Sequence, residues 1–413
     1  MSANGGKEYN LAIRIAGMVD RSFNTSLSSA KKELSGLEKA RKRVASLESG
    51  FSKLDPGFDR IGKAGMACFS GIAKAAGAAA AAAGAVAGIS VNIGMEFESA
   101  FAGVKKTIDA TDEEYGRLRE NILKMAKESS PAEVAAVMEI AGQLGIANET
   151  LTGFTKTMID MGVSTNLSSE GASTSLAKFA NIVRMEDFGK DGISNWERLG
   201  SVVVDLGNNF ATTEADIVEM GTRLASTGEL VGLTEAQIMA LATAMSSVGI
   251  GEEAGGSSMS KLLKNIQIAT ELGNGNLEKY ASVAGMSASG FTEAFREDAV
   301  SALAAFIDGL NDTERNGMSA IAILDDLGMN EIRLSNTVLS LANANGVMSD
   351  AIQTANAAWD AGTALADEAG KRYETAESKV QVMKNAFQKL GISAYDDLRE
   401  PFLDAVVMIT DKT

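Results

Sequence analysis

The sequence predicts an all-α protein: a multi-helix bundle built from a duplicated three-helix unit, with long N- and C-terminal helical arms and one short N-terminal strand. Three observations carry this. Apolar residues recur at three- and four-residue intervals along most of the 413 residues, the period of one helix face. Ser and Thr stand just ahead of those runs and Gly just behind, which are the residues that cap and stop helices. Forty-two Gly against three Pro suit many short helices with glycine stops, and with aromatics at 5% the core falls to Ala, Leu, Ile, Val and 19 Met.

Four segments follow: 1–60, 61–95, 96–345 and 346–413. In the first, Tyr9, Leu11, Ile13 and Ile15 alternate with Asn10, Ala12, Arg14 and Ala16, the two-residue period of a short strand. A coiled-coil-like helix begins at Ser26. Leu34, Leu37, Val44, Leu47, Phe51 and Leu54 make its apolar seam, with Lys31, Lys32, Lys39, Arg41, Lys42 and Arg43 outside it, and it ends before Pro56. From Ala75 to Met95 no charge occurs. That span is long enough to cross a bilayer by length. Built of Ala and Gly, however, it carries little transfer energy, and Gly77, Gly84 and Gly88 suit close helix packing instead.

The core segment holds two similar stretches, 130–183 and 213–267. In the second, Thr213 caps a helix with Asp216 at its third position. Ile217, Met220 and Leu224 share a face, and Gly228 lies past the end. Thr234 and Gln237 have capping-box spacing, and Leu233 and Ile238 the spacing of a hydrophobic staple. Ile238, Leu241, Met245 and Val248 follow, with Gly249 as a left-handed stop; Met259, Leu262 and Ile266 face the third helix inward.

In the first stretch Ser130, Pro131 and Glu133 form a cap, a first-position proline and a capping-box partner. Val134, Val137, Ala141 and Leu144 end at Gly145; Leu151, Phe154, Met158 and Met161 end at Gly162; Leu176, Phe179 and Val183 make the third helix. Gly145 aligns with Gly232, Leu151 with Ile238, Met158 with Met245, Gly162 with Gly249 and Lys178 with Lys261. Further helices are expected over 289–310 and 319–341, including Phe291, Phe306, Ile321, Leu324 and Leu334, with Asn330 as a cap after Gly328. A last long helix is expected through Ala355, Gly362, Leu365, Ala369, Tyr373, Val380, Met383, Phe387 and Leu390, broken or kinked at Pro401.

Composition excludes much chemistry. With no His in the chain, Ser–His–Asp and Cys–His catalysis and His-ligated zinc are ruled out. The single Cys68 rules out an internal disulfide. A net charge of −16 argues against a nucleic-acid surface, which needs clustered Lys and Arg. Gly57 to Lys63 matches most of a phosphate loop, but Ala64 stands where the metal-binding Ser or Thr belongs. Glu98-Ser99-Ala100-Phe101 resembles the segment around the catalytic acid of lytic transglycosylases, where a buried Glu protonates the glycosidic oxygen. The Gly-Leu-Met-Gln type segment that follows in that family is missing. No catalytic, cofactor-binding or metal-binding residue is therefore expected, and no cofactor.

Met95-Glu96-Phe97-Glu98 with Phe101 and Val104, the glycine-punctuated helix pairs, Gly232-Leu-Thr-Glu-Ala236 and the Gly-rich turn before Met259 together resemble the conserved region of the bacteriophage tail tape-measure protein family. The resemblance runs from about Tyr9 to Phe402. It implies a structural, non-enzymatic protein that lies in the tail-tube lumen after assembly in the host cytoplasm and templates tube length. The implied partners are the tail tube protein, tail assembly chaperones, baseplate or tail-tip proteins, further copies of the chain (a trimer), and the host membrane at ejection, with no sequence-specific nucleic acid. Two other readings stand beside it: a membrane-active pore former using 75–95, and a transglycosylase-like enzyme with Glu98.

Overall fold

The computed structural model describes residues 79–312, 317–344 and 346–410. The expected strand at Tyr9–Ile15, the helix from Ser26 to Leu54, the phosphate-loop-like Gly57–Lys63 and Cys68 lie outside the described residues.

The described residues form seventeen α-helices. In order these are α1 (Ala79–Thr107), α2 (Asp112–Met125), α3 (Pro131–Gln143), α4 (Leu151–Ser164), α5 (Ser169–Val183) and α6 (Asn195–Asn209). Then come α7 (Glu214–Leu230), α8 (Glu235–Ser247), α9 (Glu252–Leu272), α10 (Gly275–Val283), α11 (Ala288–Glu297) and α12 (Ala299–Gly309). The last are α13 (Ala320–Asp326), α14 (Ile332–Asn343), α15 (Val347–Ala361), α16 (Ala364–Tyr373) and α17 (Ala376–Thr410). Among the described residues there is no strand, and one isolated antiparallel bridge joins Phe188 and Ser194. The described residues are all-α.

The chain divides into two compact units. One comprises residues Met1–Met95 with Leu390–Thr413, and the other Glu96–Lys389. In the first, the described part pairs the start of α1 with the end of α17. A β-carbon on Gly94 would stand 2.0 Å from the Tyr395 ring, and one on Gly391 3.2 Å from Ile93. Glycine here lets the two helices approach to backbone distance.

In the larger unit α8 is the central helix. Nine of its thirteen residues are buried, including Ile238, Leu241 and Met245, and α6, α7 and α15 cover it. α9 packs on α7 and α14, while α3, α4 and α5 pack mutually. α10, α11 and α12 enclose an aromatic cluster in which Tyr280 stacks on Phe291 and meets Phe306 edge-on at 5.1 Å.

Local capping explains where these helices start. Ser130 and Glu133 exchange hydrogen bonds with each other's backbone N–H at 3.2 and 2.6 Å, as do Thr234 and Gln237 at 3.2 and 3.0 Å. Thr111 and Glu114 do the same ahead of α2. Each box satisfies two of the first-turn N–H groups that a helix leaves without partners. Leu233 and Ile238, the expected staple, are both buried.

Several expectations are corrected. Gly162 and Gly228 do not stop helices, because α4 runs to Ser164 and α7 to Leu230. Both sit where another chain segment comes close. A β-carbon on Gly228 would meet Ile238 at 2.7 Å, and one on Gly162 the Ser169 hydroxyl at 2.1 Å. Gly145, Gly232 and Gly249 do stop helices, with φ of +79°, +81° and +76°, backbone that a side chain strains.

The segment from Ala355 to Leu390 is three helices, since Gly362 at φ +63° ends α15. α15 and α16 belong to the larger unit and form no separate arm. α17 continues through Pro401. Asn330 does not cap α14; its amide reaches Asp325 at 3.1 Å, and Glu331 holds the cap position. Ile321, expected in the core, is 70% exposed.

Candidate functional site

Of the segments weighed for chemistry, the phosphate-loop-like one lies outside the described residues and the one around Glu98 within them. Glu98 lies inside α1 and is exposed, without the apolar enclosure that would keep a carboxyl protonated for glycosidic chemistry. Among the described residues no group of three or more His, Cys, Asp or Glu side chains could hold a metal ion, and no helix is long and apolar enough to cross a membrane. An open hollow of about 280 Å³ between α12 and α15 is lined by Ser301, Ala304, Ala305, Ser349, Ile352 and Gln353, with no titratable side chain in its wall.

The side chains that do converge join the C-terminal helices to the first half of the larger unit. They are carried by α4, α6 and the turn before α3. α6 begins where Asp187 accepts the Trp196 indole N–H at 2.9 Å, and Trp196 meets Phe154 of α4 edge-on at 4.7 Å. That fixes α6 against α4.

One turn into α6, Arg198 is buried and ion-paired with Asp191. The Ile193 N–H first, and Arg198 after it, hold the Asp191 carboxyl below the usual carboxylate range. The other guanidinium branch of Arg198 donates to the backbone carbonyl of Trp359 at 2.9 Å. Trp359 lies in the last turn of α15, where carbonyls have no intrahelical partner.

Three residues along, on the same face of α6, the Ser201 hydroxyl accepts the N–H of Leu365 at 3.3 Å. Leu365 lies in the first turn of α16, whose N-cap Thr363 makes no side-chain cap bond. The bend at Gly362 thus leaves a carbonyl on one side and an N–H on the other, and α6 satisfies both. Between them Gly200 lets the chain close in: a β-carbon there would meet Leu365 at 2.7 Å.

Two further joints follow. Tyr373 donates its hydroxyl to Asp160 Oδ1 of α4 at 2.6 Å, while Lys156 reaches Oδ2 at 2.8 Å. Burial, followed by the Asp160 charge, pushes the Tyr373 hydroxyl far above the ordinary tyrosine range. Asn385 of α17 is buried, and its amide donates to the carbonyls of Lys127 and Glu128 at 2.8 and 2.5 Å. Sequence reasoning named none of Asp160, Arg198, Ser201 or Asn385. Their partners lie 161 to 258 positions away along the chain, and no local pattern marks them.

A helical scaffold held by long-range polar joints is the class that this architecture defines. The model of the phage-related minor tail protein family matches residues 119–330, just over half of the chain and wholly inside the larger unit. The chain belongs to the phage-related minor tail protein family. A curated relative, described as a probable tape measure protein of Halomonas phage phiHAP-1, is 26% identical over 178 residues. That match covers 40% of this chain and 20% of the relative, so the chain spans about a fifth of that protein's length. No solved structure matches.

Proposed function

We propose that this protein is a tape-measure component of a phage or phage-like tail, structural and not catalytic, which occupies the tube lumen and sets the length to which tube subunits polymerise. The observation that carries the reading is the family match over 119–330, coinciding with the α3–α13 core. The similarity to a probable tape measure protein supports it. The mechanism is geometric: a helix advances ~1.5 Å per residue, so chain length becomes tube length. The partners are the tail tube protein, tail assembly chaperones and tail-tip proteins, with further copies of this chain alongside.

We also read 130–183 and 213–267 as copies of one three-helix unit. In support, Gly145 and Gly232 share a left-handed backbone, and the following N–H groups, of Ile146 and Leu233, bond back to Ala141 and Gly228 at 3.1 and 2.9 Å. The test of the tail reading is cross-linking mass spectrometry on purified particles. Cross-links between lysines of this chain, such as Lys178 or Lys264, and the tail tube protein are expected. Particles that assemble full tails without this chain would contradict the reading.

A further inference from the structure

We propose that residues 363–389, comprising α16 and the first turns of α17, are a strap that releases from α4, α6 and the 126–128 turn as one unit, pivoting at Gly362, while α6–α9 stay folded. The strap's attachment differs from that of the central helix. α16 buries Leu365 and Ala369 out of ten residues, whereas α8 buries nine of thirteen. Past Tyr373 the apolar seam opens, and Val380 is 41% exposed. Besides Leu365 and Ala369, what holds the strap is a short series of polar joints: Ser201 to the Leu365 N–H, Asp160 to Tyr373, and the Lys127 and Glu128 carbonyls to Asn385. On opening, each of these bonds is replaced by bonds to water, which offsets part of its loss, whereas lost apolar burial has no such replacement.

The strap and its pivot carry three of the unpartnered buried polar atoms. Among the described residues five buried side-chain N or O atoms have no hydrogen-bond partner within the protein. Ser378 Oγ and Gln388 Oε1 lie on the strap, and Arg198 Nε lies where α6 meets its pivot. A buried polar atom without a partner costs the closed arrangement free energy. Lys389 adds to this, for burial and then the Lys127 charge work against its protonated form. The pivot is already built: Gly362 has φ +63°, and Arg198 holds the Trp359 carbonyl on the core side of it, so α15 stays anchored when α16 leaves. Segments with few buried apolar contacts and solvent-replaceable hydrogen bonds open at free energies below that of global unfolding.

The strap itself rests on geometry. Its use, to let a compact domain lengthen inside a narrow tube, rests on the tail reading above. Amide hydrogen exchange by mass spectrometry on the full chain tests the strap alone and so separates the two. Peptides from 363–389 are expected to exchange at least tenfold faster than those of α8. Tyr373→Phe and Asn385→Ala should each speed strap exchange several-fold further, with the strap still at least tenfold faster than α8. Should 363–389 and α8 exchange through one shared opening, with equal protection in wild type and both variants, the proposal is overturned. If Tyr373→Phe disturbs folding, the wild-type comparison and Asn385→Ala still decide.

Discussion

Tyr373 and Asp160 sit 213 positions apart in sequence and 2.6 Å apart in space, hydroxyl to carboxylate. This bond ties the end of α16 to α4. Asp160 is 6% exposed, so the bond is shielded from water on the acceptor side. A hydrogen bond to a charged group contributes about 1.5–3 kcal/mol, and Lys156 keeps Asp160 from being stranded. Tyr373→Phe is therefore expected to lower unfolding stability by about 1–2 kcal/mol, read from urea midpoints at neutral pH.

The same residue gives a pH dependence with a definite sign. Burial raises the folded-state affinity of Tyr373 for its proton, with the Asp160 charge adding to it, and burial does the same for Tyr280. The unfolded chain ionises tyrosine near ~10. Below that pH both states hold their protons and the full stability is present. Above it the unfolded state alone loses protons, so stability falls as pH rises toward the folded values. Tm should drop between pH ~9 and ~11, and by less in Tyr373→Phe.

Arg198 and Ser201 satisfy the two sides of the Gly362 bend, so their contributions should be coupled. Removing either leaves a buried backbone group without a partner, at about 1–3 kcal/mol. Once one side is released the bend relaxes, and losing the second costs less. In a double-mutant cycle of Arg198→Leu and Ser201→Ala, the double variant should lose less than the sum by about 0.5–1.5 kcal/mol, measured by urea unfolding.

Two glycines should respond in opposite directions. Gly228→Ala drives a β-carbon against Ile238 at 2.7 Å in a buried contact, and is expected to cost about 1–3 kcal/mol. Gly116, within α2, has nothing within 4 Å of such a carbon, and Gly116→Ala should stabilise by about 0.5–1 kcal/mol through the helix preference for Ala. Thermal unfolding of the two variants side by side checks both signs.

These pairs also show what is legible from sequence. The capping boxes at Ser130–Glu133 and Thr234–Gln237 are readable because both partners lie three residues apart. Glycine stops are half readable. Gly145, Gly232 and Gly249 take left-handed backbone, while Gly162 and Gly228 serve close packing inside helices, and nothing local separates the two uses.

The seam from Ala355 to Leu390 keeps helical spacing across two breaks, because α15 and α16 turn their apolar faces to the same core and Gly362 falls on the pattern. α6 is legible by the same rule: Trp196, Leu199, Val203 and Leu206 stand at three- and four-residue intervals and are all buried. The joints at Arg198, Ser201 and Asp160 depend on which residues arrive from the far end of the chain, which only the folded topology supplies.

The central claim, that this chain acts as a ruler in a tail, is tested most directly by tail length in electron micrographs after a helical insertion in α17, clear of the joints that end at Asn385. Three added heptads should lengthen the tail by ~32 Å, at ~1.5 Å per residue. Tails of unchanged length, assembled around the longer chain, would contradict it.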